Sequence, residues 1–140
     1  MKNKNQYSIE DLLDVMSELR NKCPWDQKQT FDTLKKLTIE ETYELVDAID
    51  KKKYDDIKDE LGDLLLHIIF YSKIASENKK FNFNDVLNSL IEKLIYRHPH
   101  IYGDIKVSSI DEVKKNWERL KVKDKNKGIL SGVPNHLPSL

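Results

Sequence analysis

Cysteine occurs once in this 140-residue sequence, as Cys23, so no disulfide can form within the chain and a reducing compartment is expected. Glycine and proline number four each, which is few for a fold built on tight turns, and no stretch sustains the period-two alternation of a strand. Charge of one sign is not in surplus: Lys and Arg total 24, and so do Asp and Glu. Duplex-binding domains usually carry a basic excess, so no nucleic-acid partner is expected. Long hydrophobic runs are missing as well, none approaching the roughly 18 residues of a membrane span, and the N-terminal stretch lacks the apolar segment of a secretion signal. No membrane partner is expected, and the setting that fits is cytoplasmic. Repeats and low-complexity segments are also lacking. What remains is a charge-rich, helical chain long enough for one core, expected to form a single domain over residues 1–140.

Five helices account for most of it. The first opens at Ser8, with Asp11 completing a capping box, and runs to about Arg20. A break follows over Asn21-Lys22-Cys23-Pro24-Trp25-Asp26, where the proline forbids simple continuation. The second helix is expected over Thr30 to Ile49 and the third over Asp55 to Glu77, joined by a lysine-rich turn at Lys51 to Lys53. Asn84 is expected to cap the fourth, which ends before His98-Pro99, and Ser109 with Glu112 opens a fifth that runs to about Val122. The tail, about residues 123–140, reads as irregular.

The chemistry is concentrated in acids. Helix two carries Glu40-Glu41-Thr42-Tyr43-Glu44 and helix three carries Glu60-Leu61-Gly62-Asp63. Positions i and i+3 share a helix face, which pairs Glu41 with Glu44 and Glu60 with Asp63. At about 100° per residue, Glu41 falls within the apolar stripe of Leu34, Leu37, Leu45 and Ala48. Glu60 falls on the stripe of Ile57, Leu64, His67, Tyr71 and Ile74. Each pair stands about ten residues from the middle of the turn, so in an antiparallel hairpin, rising about 1.5 Å per residue, the four carboxylates meet at one level. Isolated acids at this spacing are usually a solvated helix face. Two pairs on facing apolar stripes at matched height are different: carboxylates so placed repel and lose hydration unless protonated or bound to a cation. Oxygen-only ligands favour Mg²⁺, or Mn²⁺, over zinc, and Mg²⁺ commonly joins carboxylates to substrate phosphates. A helical di-iron site would need Glu-x-x-His on each of two helices, and the sequence contains none. His67 reads as a hydrogen-bonded core histidine or as a partner of the carboxylates.

With these residues in view, the chain resembles the MazG-type nucleoside triphosphate pyrophosphohydrolases. The resemblance is carried by Cys23-Pro24-Trp25-Asp26, Gln29-Thr30, Glu40-Glu41-x-x-Glu44, Glu60-Leu61-Gly62-Asp63, Arg97-His98-Pro99-His100 and Gly103-Asp104, and extends from about Ile9 to Leu140. It implies an all-α fold, a bundle of four to five helices whose central αα-hairpin carries a Mg²⁺ site and which assembles as a dimer or larger. It also implies hydrolysis of (deoxy)nucleoside triphosphates to the monophosphate and pyrophosphate. Carried over position by position, Glu41, Glu44, Glu60 and Asp63 are the metal ligands. Glu40 joins Glu41 as a catalytic candidate, orienting a second ion or helping to activate water. Lys93, Arg97, Trp117 and Lys121 correspond to substrate-binding positions. The spacing agrees, since Lys93 with Arg97 and Trp117 with Lys121 are i, i+4 pairs. Trp25 either stacks on the base or anchors its loop to the core. His98 and His100, flanking a proline, contact phosphate or make a turn.

The sequence departs from the family at Lys22, where glycine is usual, and it resembles the N-terminal domain of two-domain members, which leaves a natural one-domain enzyme or part of a longer protein as readings. Two alternatives accompany the enzyme reading. One is a catalytically quiet helical module that binds nucleotide and dimerises; the other is a relative acting on another phosphorylated nucleotide such as phosphoribosyl-ATP. A second apolar stripe on helix two, formed by Ile39, Tyr43 and Val46, suggests burial on two sides.

Overall fold

A computed structural model describes residues 6–130, with side chains described to residue 125. Seven helices are formed in the described chain: α1 (Ile9–Lys22), α2 (Pro24–Lys28), α3 (Phe31–Asp50), α4 (Tyr54–Glu77), α5 (Phe83–Tyr96), α6 (Pro99–Tyr102) and α7 (Ile110–Leu130). There is no strand among the described residues. Among the described residues no helix is long and apolar enough to cross a membrane. The expected five are all present, and two short helices fill segments read as a break and a loop. In both, a proline at the first helical position supplies the required φ and gives up an N–H that would be unpaired there anyway.

The chain divides into two compact units, Met1–Val86 and Leu87–Leu140. In the first, α3 and α4 form a hairpin, and α1 packs on α4 while holding α2. Met16, Leu34, Ile69, Phe70 and Ile74 make the core, flanked by Leu12, Leu13, Leu19, Leu37, Tyr71 and Phe83. The apolar stripes read from α3 and α4 do face each other: Leu34 and Ala48 are buried on one helix, His67 and Ile74 on the other. Ile69 and Phe70 turn a second side of α4 toward α1, so this helix is enclosed more fully than one stripe implies. Ile39, Tyr43 and Val46, by contrast, are exposed on the single chain.

Helix ends follow local chemistry. Ser8 and Asp11 form a reciprocal capping box, as do Thr30 and Thr33. At α5 the cap is Asn82 and not Asn84: the Asp85 N–H donates to Asn82 Oδ1 at 2.9 Å, and the Asn82 N–H donates to Asp85 Oδ2 at 3.0 Å. Both α3 and α4 end in Schellman turns. Lys53 N–H reaches Ala48 O and Lys52 N–H reaches Ile49 O, while Lys80 and Lys79 repeat the pattern onto Ala75 and Ser76. The residues at the left-handed positions are lysines, with φ of 55° at Lys52 and 57° at Lys79. A side chain there is strained where glycine is not. Lys79→Gly, far along the chain from the acids, should therefore raise stability by about 0.5–1 kcal/mol, read as a shift in the urea midpoint at constant slope.

In the second unit, α5 from Leu87 onward leads into the single turn of α6. A Cβ on Gly103 would approach Pro99 O at 2.9 Å, so glycine is needed to let the chain leave α6. The last helix begins with the Glu112 N–H donating to Ser109 Oγ, while the Glu112 carboxylate reaches back to Ser108. It runs on to Leu130, past the expected end at Val122, so residues 123–130 of the supposed irregular tail are helical. Residues 131–140 of that tail lie outside the described residues.

Candidate active site

The hairpin brings Glu41, Glu60 and Asp63 together, one carboxylate oxygen of each lying within 4.8 Å of the others. The fourth expected ligand, Glu44, borders them, with its carboxylate against that of Glu60. Depth differs within the group. Glu41 and Glu60 are half-buried and each has an Oε2 shielded from solvent with no hydrogen-bond partner, whereas Glu44 and Asp63 stand at the exposed rim. The wheel therefore gave the right face, but only the inner two acids sit well inside it. Glu40 is exposed and is not among the converging oxygens.

Crowded carboxylates with little water resist ionisation. Burial, followed by the charges of Glu44 and Asp63 and the contact with Glu60, pushes the Glu41 carboxyl up to about 7. Burial and then Glu44 raise Glu60 as well. Protons or a cation can relieve such a cluster. The donor set, all carboxylate oxygen with two unpartnered and inward, fits a hard divalent ion of the Mg²⁺ or Mn²⁺ kind.

One turn deeper the hairpin is tied by a polar chain that the sequence did not reveal. Thr38 Oγ1 lies 2.7 Å from His67 Nδ1 and 2.5 Å from the Tyr71 hydroxyl. Tyr71 in turn stacks on Phe31, ring centroids 5.4 Å apart. Burial lowers the pKa of His67, with Asp63 opposing that shift, which favours the neutral ring in this hydrogen-bonded place. Thr38 precedes Glu41 by one helical turn and His67 follows Asp63 by one, so this bond sets the spacing of the two helices beside the carboxylates.

Trp25 is 55% exposed, and a further side chain ties down its loop. Arg20 does that: its Nη1 donates to the carbonyls of Asp26 (2.7 Å), Gln29 (3.1 Å) and Gln27 (3.3 Å). The remaining guanidinium edge grips Glu77 in a two-bond pair at 2.9 and 2.5 Å, with Phe70 beneath it.

The other four expected substrate residues belong to the second unit. Lys93 is exposed on α5 and Arg97 follows one turn later, its N–H donating to Lys93 O. Arg97 Nε is paired with Asp124 at 3.0 Å, which partly satisfies its charge within the unit. Trp117 is 41% exposed, with the Lys121 ammonium 5.9 Å from its ring centroid, so the i, i+4 pair forms as expected. His98 is the N-cap residue of α6 and Pro99 and His100 lie in its single turn, with His98 Nδ1–H donating to Leu94 O at 2.6 Å.

Fold and site together define an all-α protein whose hairpin presents a carboxylate cluster suited to a divalent cation. Comparison with known proteins sharpens that class. Residues 29–102 match the MazG nucleotide pyrophosphohydrolase domain, and the chain belongs to that family. It is 41% identical over 139 residues to the nucleoside triphosphate pyrophosphohydrolase of Escherichia coli K12, an alignment covering 94% of this chain and 53% of the relative. It is 47% identical over 121 residues to the nucleoside triphosphate pyrophosphohydrolase/pyrophosphatase MazG of Thermotoga maritima, covering 85% and 46% respectively. The chain thus spans about half the length of these curated relatives. The crystal structure of a mazG-related protein from Thermotoga maritima superposes with a TM-score of 0.69 at 26% identity, covering 81% of this chain and 98% of that one.

Proposed function

We propose that the chain hydrolyses (deoxy)nucleoside triphosphates to the monophosphate and pyrophosphate, with Mg²⁺ held by Glu41, Glu44, Glu60 and Asp63. The single observation that carries this reading is the convergence of Glu41, Glu60 and Asp63 within 4.8 Å on a buried-to-exposed gradient. Membership of a nucleotide pyrophosphohydrolase family supports it. A quiet binding module would have no use for two half-buried carboxylate oxygens without partners, since each costs free energy in the empty protein. A phosphoribosylated nucleotide remains the alternative substrate and is separated by its product.

When bound, the divalent ion would neutralise phosphate charge that builds on the leaving pyrophosphate. Glu41 and Glu60, half-buried, and Glu44 and Asp63, at the exposed rim, would hold it. Glu40, exposed beside Glu41, is assigned to orient or deprotonate the attacking water. Lys93, Arg97 and Lys121 are assigned to supply positive charge for the polyphosphate. Trp25 and Trp117 offer faces for base stacking, which binds with little base discrimination. The apolar stripe Ile39, Tyr43 and Val46 is assigned to a homodimer contact, the whole acting as one domain in a cytoplasmic setting.

The first test is direct: incubation with mixed nucleoside triphosphates and Mg²⁺ should release pyrophosphate, and its absence would refute the reading. A second follows from Glu41. Because its carboxyl is pushed up to about 7, the ion must displace a proton near neutrality. Mg²⁺ affinity should therefore rise from pH 5 to about 7 and level off above it, since protonation competes only below that value. Calorimetry in buffers of different ionisation heat should show proton release at pH 6 and little at pH 8.5.

A further inference from the structure

A groove of about 400 Å³ opens on the α3–α4 hairpin beside the carboxylate cluster. Glu44 and Glu60 line it at the level of the cluster, and Lys51 and Lys53 line it at the turn, with Tyr43 and Ala48 adding apolar wall. The two lysines are not equivalent. Lys51 Nζ is bonded to the Asp47 carboxylate at 2.9 Å, so its charge is met within the groove. Lys53 is exposed and makes no ion pair among the described residues. Asp56, the remaining acid of the wall, lies in the first turn of α4, where the helix dipole offsets its charge.

Position matters as much as charge. Lys53 precedes Glu60 by seven residues, which at 1.5 Å per residue is about 10 Å along α4. The flexible four-carbon stem of lysine bridges much of that span, leaving room for phosphate groups between its ammonium and an ion held at Glu60. The Schellman turn fixes the backbone at this end, since the Lys53 N–H is bound to Ala48 O at 3.2 Å.

We propose that Lys53 is a specificity-determining substrate contact: its ammonium takes the terminal phosphate of the triphosphate, and hence the pyrophosphate product, in this groove. The assignment rests on the carboxylate cluster being the pyrophosphohydrolase site. It makes the groove a gauge of chain length, because a monophosphate held at the cluster does not extend to Lys53 whereas a triphosphate does. Neither composition nor helical periodicity marks this lysine out from its neighbours; the groove does.

The test uses the full chain in Mg²⁺ and two probes, inorganic pyrophosphate and a nucleoside monophosphate, titrated calorimetrically into wild type, Lys53→Gln and Lys53→Arg. Triphosphate KM and kcat are measured in parallel. Lys53→Gln should weaken pyrophosphate binding about tenfold, the effect of one charge-assisted hydrogen bond, and raise KM by a similar factor. Monophosphate affinity should stay level, and Lys53→Arg should recover most of the loss. Equal pyrophosphate affinity in wild type and Lys53→Gln, with wild type turning over triphosphate, overturns the Lys53 assignment and leaves the enzyme reading standing. Equal weakening of both probes overturns the terminal-phosphate placement. A wild type that binds no Mg²⁺ and hydrolyses no triphosphate overturns both readings together.

Discussion

Glu41→Gln is expected to reduce Mg²⁺-dependent pyrophosphate release more than about 100-fold while raising the melting temperature of the metal-free protein. Both effects come from one property of the site. The Glu41 carboxyl sits beside Glu60 and Asp63 with an oxygen that no donor satisfies, so its negative charge is useful only to a cation. The amide keeps the shape and removes the charge. The expected gain in stability depends on pH, and its sign follows from the shift. An acid whose folded pKa is raised stabilises the fold at low pH, and that stability is lost as pH rises through the folded value. For Glu41 the loss runs from about 4.5 to about 7. The metal-free wild type should therefore weaken across that window, and Glu41→Gln should weaken less. Added Mg²⁺ should raise the melting temperature of the wild type and leave that of the variant nearly unchanged. Thermal denaturation at pH 5 and pH 8, with and without Mg²⁺, checks each of these expectations.

Phe70→Ala is expected to cost about 3–5 kcal/mol, a large part of the 5–15 kcal/mol that typically holds a domain together. Phe70 is 1% exposed at the junction of α1, α3 and α4. Truncation there opens a cavity that the surrounding helices cannot close. It also removes the ring under the Arg20 guanidinium, which lies 5.8 Å from its centroid and organises the α2 carbonyls and Glu77. Phe70→Leu should cost much less, about 1–1.5 kcal/mol, because most of the volume is kept. Urea unfolding monitored by Trp fluorescence and by circular dichroism would measure both variants. Loss of the α2 arrangement should appear as a change at Trp25 before the helical signal falls.

Much of this architecture is legible without coordinates because the deciding signals are local. Ser8 with Asp11 marks a helix start, and the acid pairs at i, i+3 on apolar stripes define the facing sides of α3 and α4. The cap of α5 was legible in principle too. Asn82 has Asp85 three residues on, the reciprocal pattern of a capping box, whereas Asn84 has Leu87 at that place. Pro24 forbids simple continuation of α1 and equally suits the first position of a new helix. The run of α7 beyond Val122 reflects lysines that favour helix as readily as tail.

Depth and long-range pairing are harder. Periodicity gives the direction of Glu44 and Asp63 and not their exposure, because height above the core depends on how closely the helices approach. The Thr38 hydroxyl finds His67 across 29 positions of sequence, and no spacing rule connects them. The groove at Lys53 arises only once the hairpin has closed.

The central claim is that the hairpin carboxylates bind one hard divalent ion as a group. Mn²⁺ titration followed by electron paramagnetic resonance reads this without any need for turnover. Wild type should take up Mn²⁺ from solution, with Mg²⁺ competing for the site, and Glu60→Gln should lose that uptake while keeping its helical spectrum. Undiminished binding in a folded Glu60→Gln protein would contradict it.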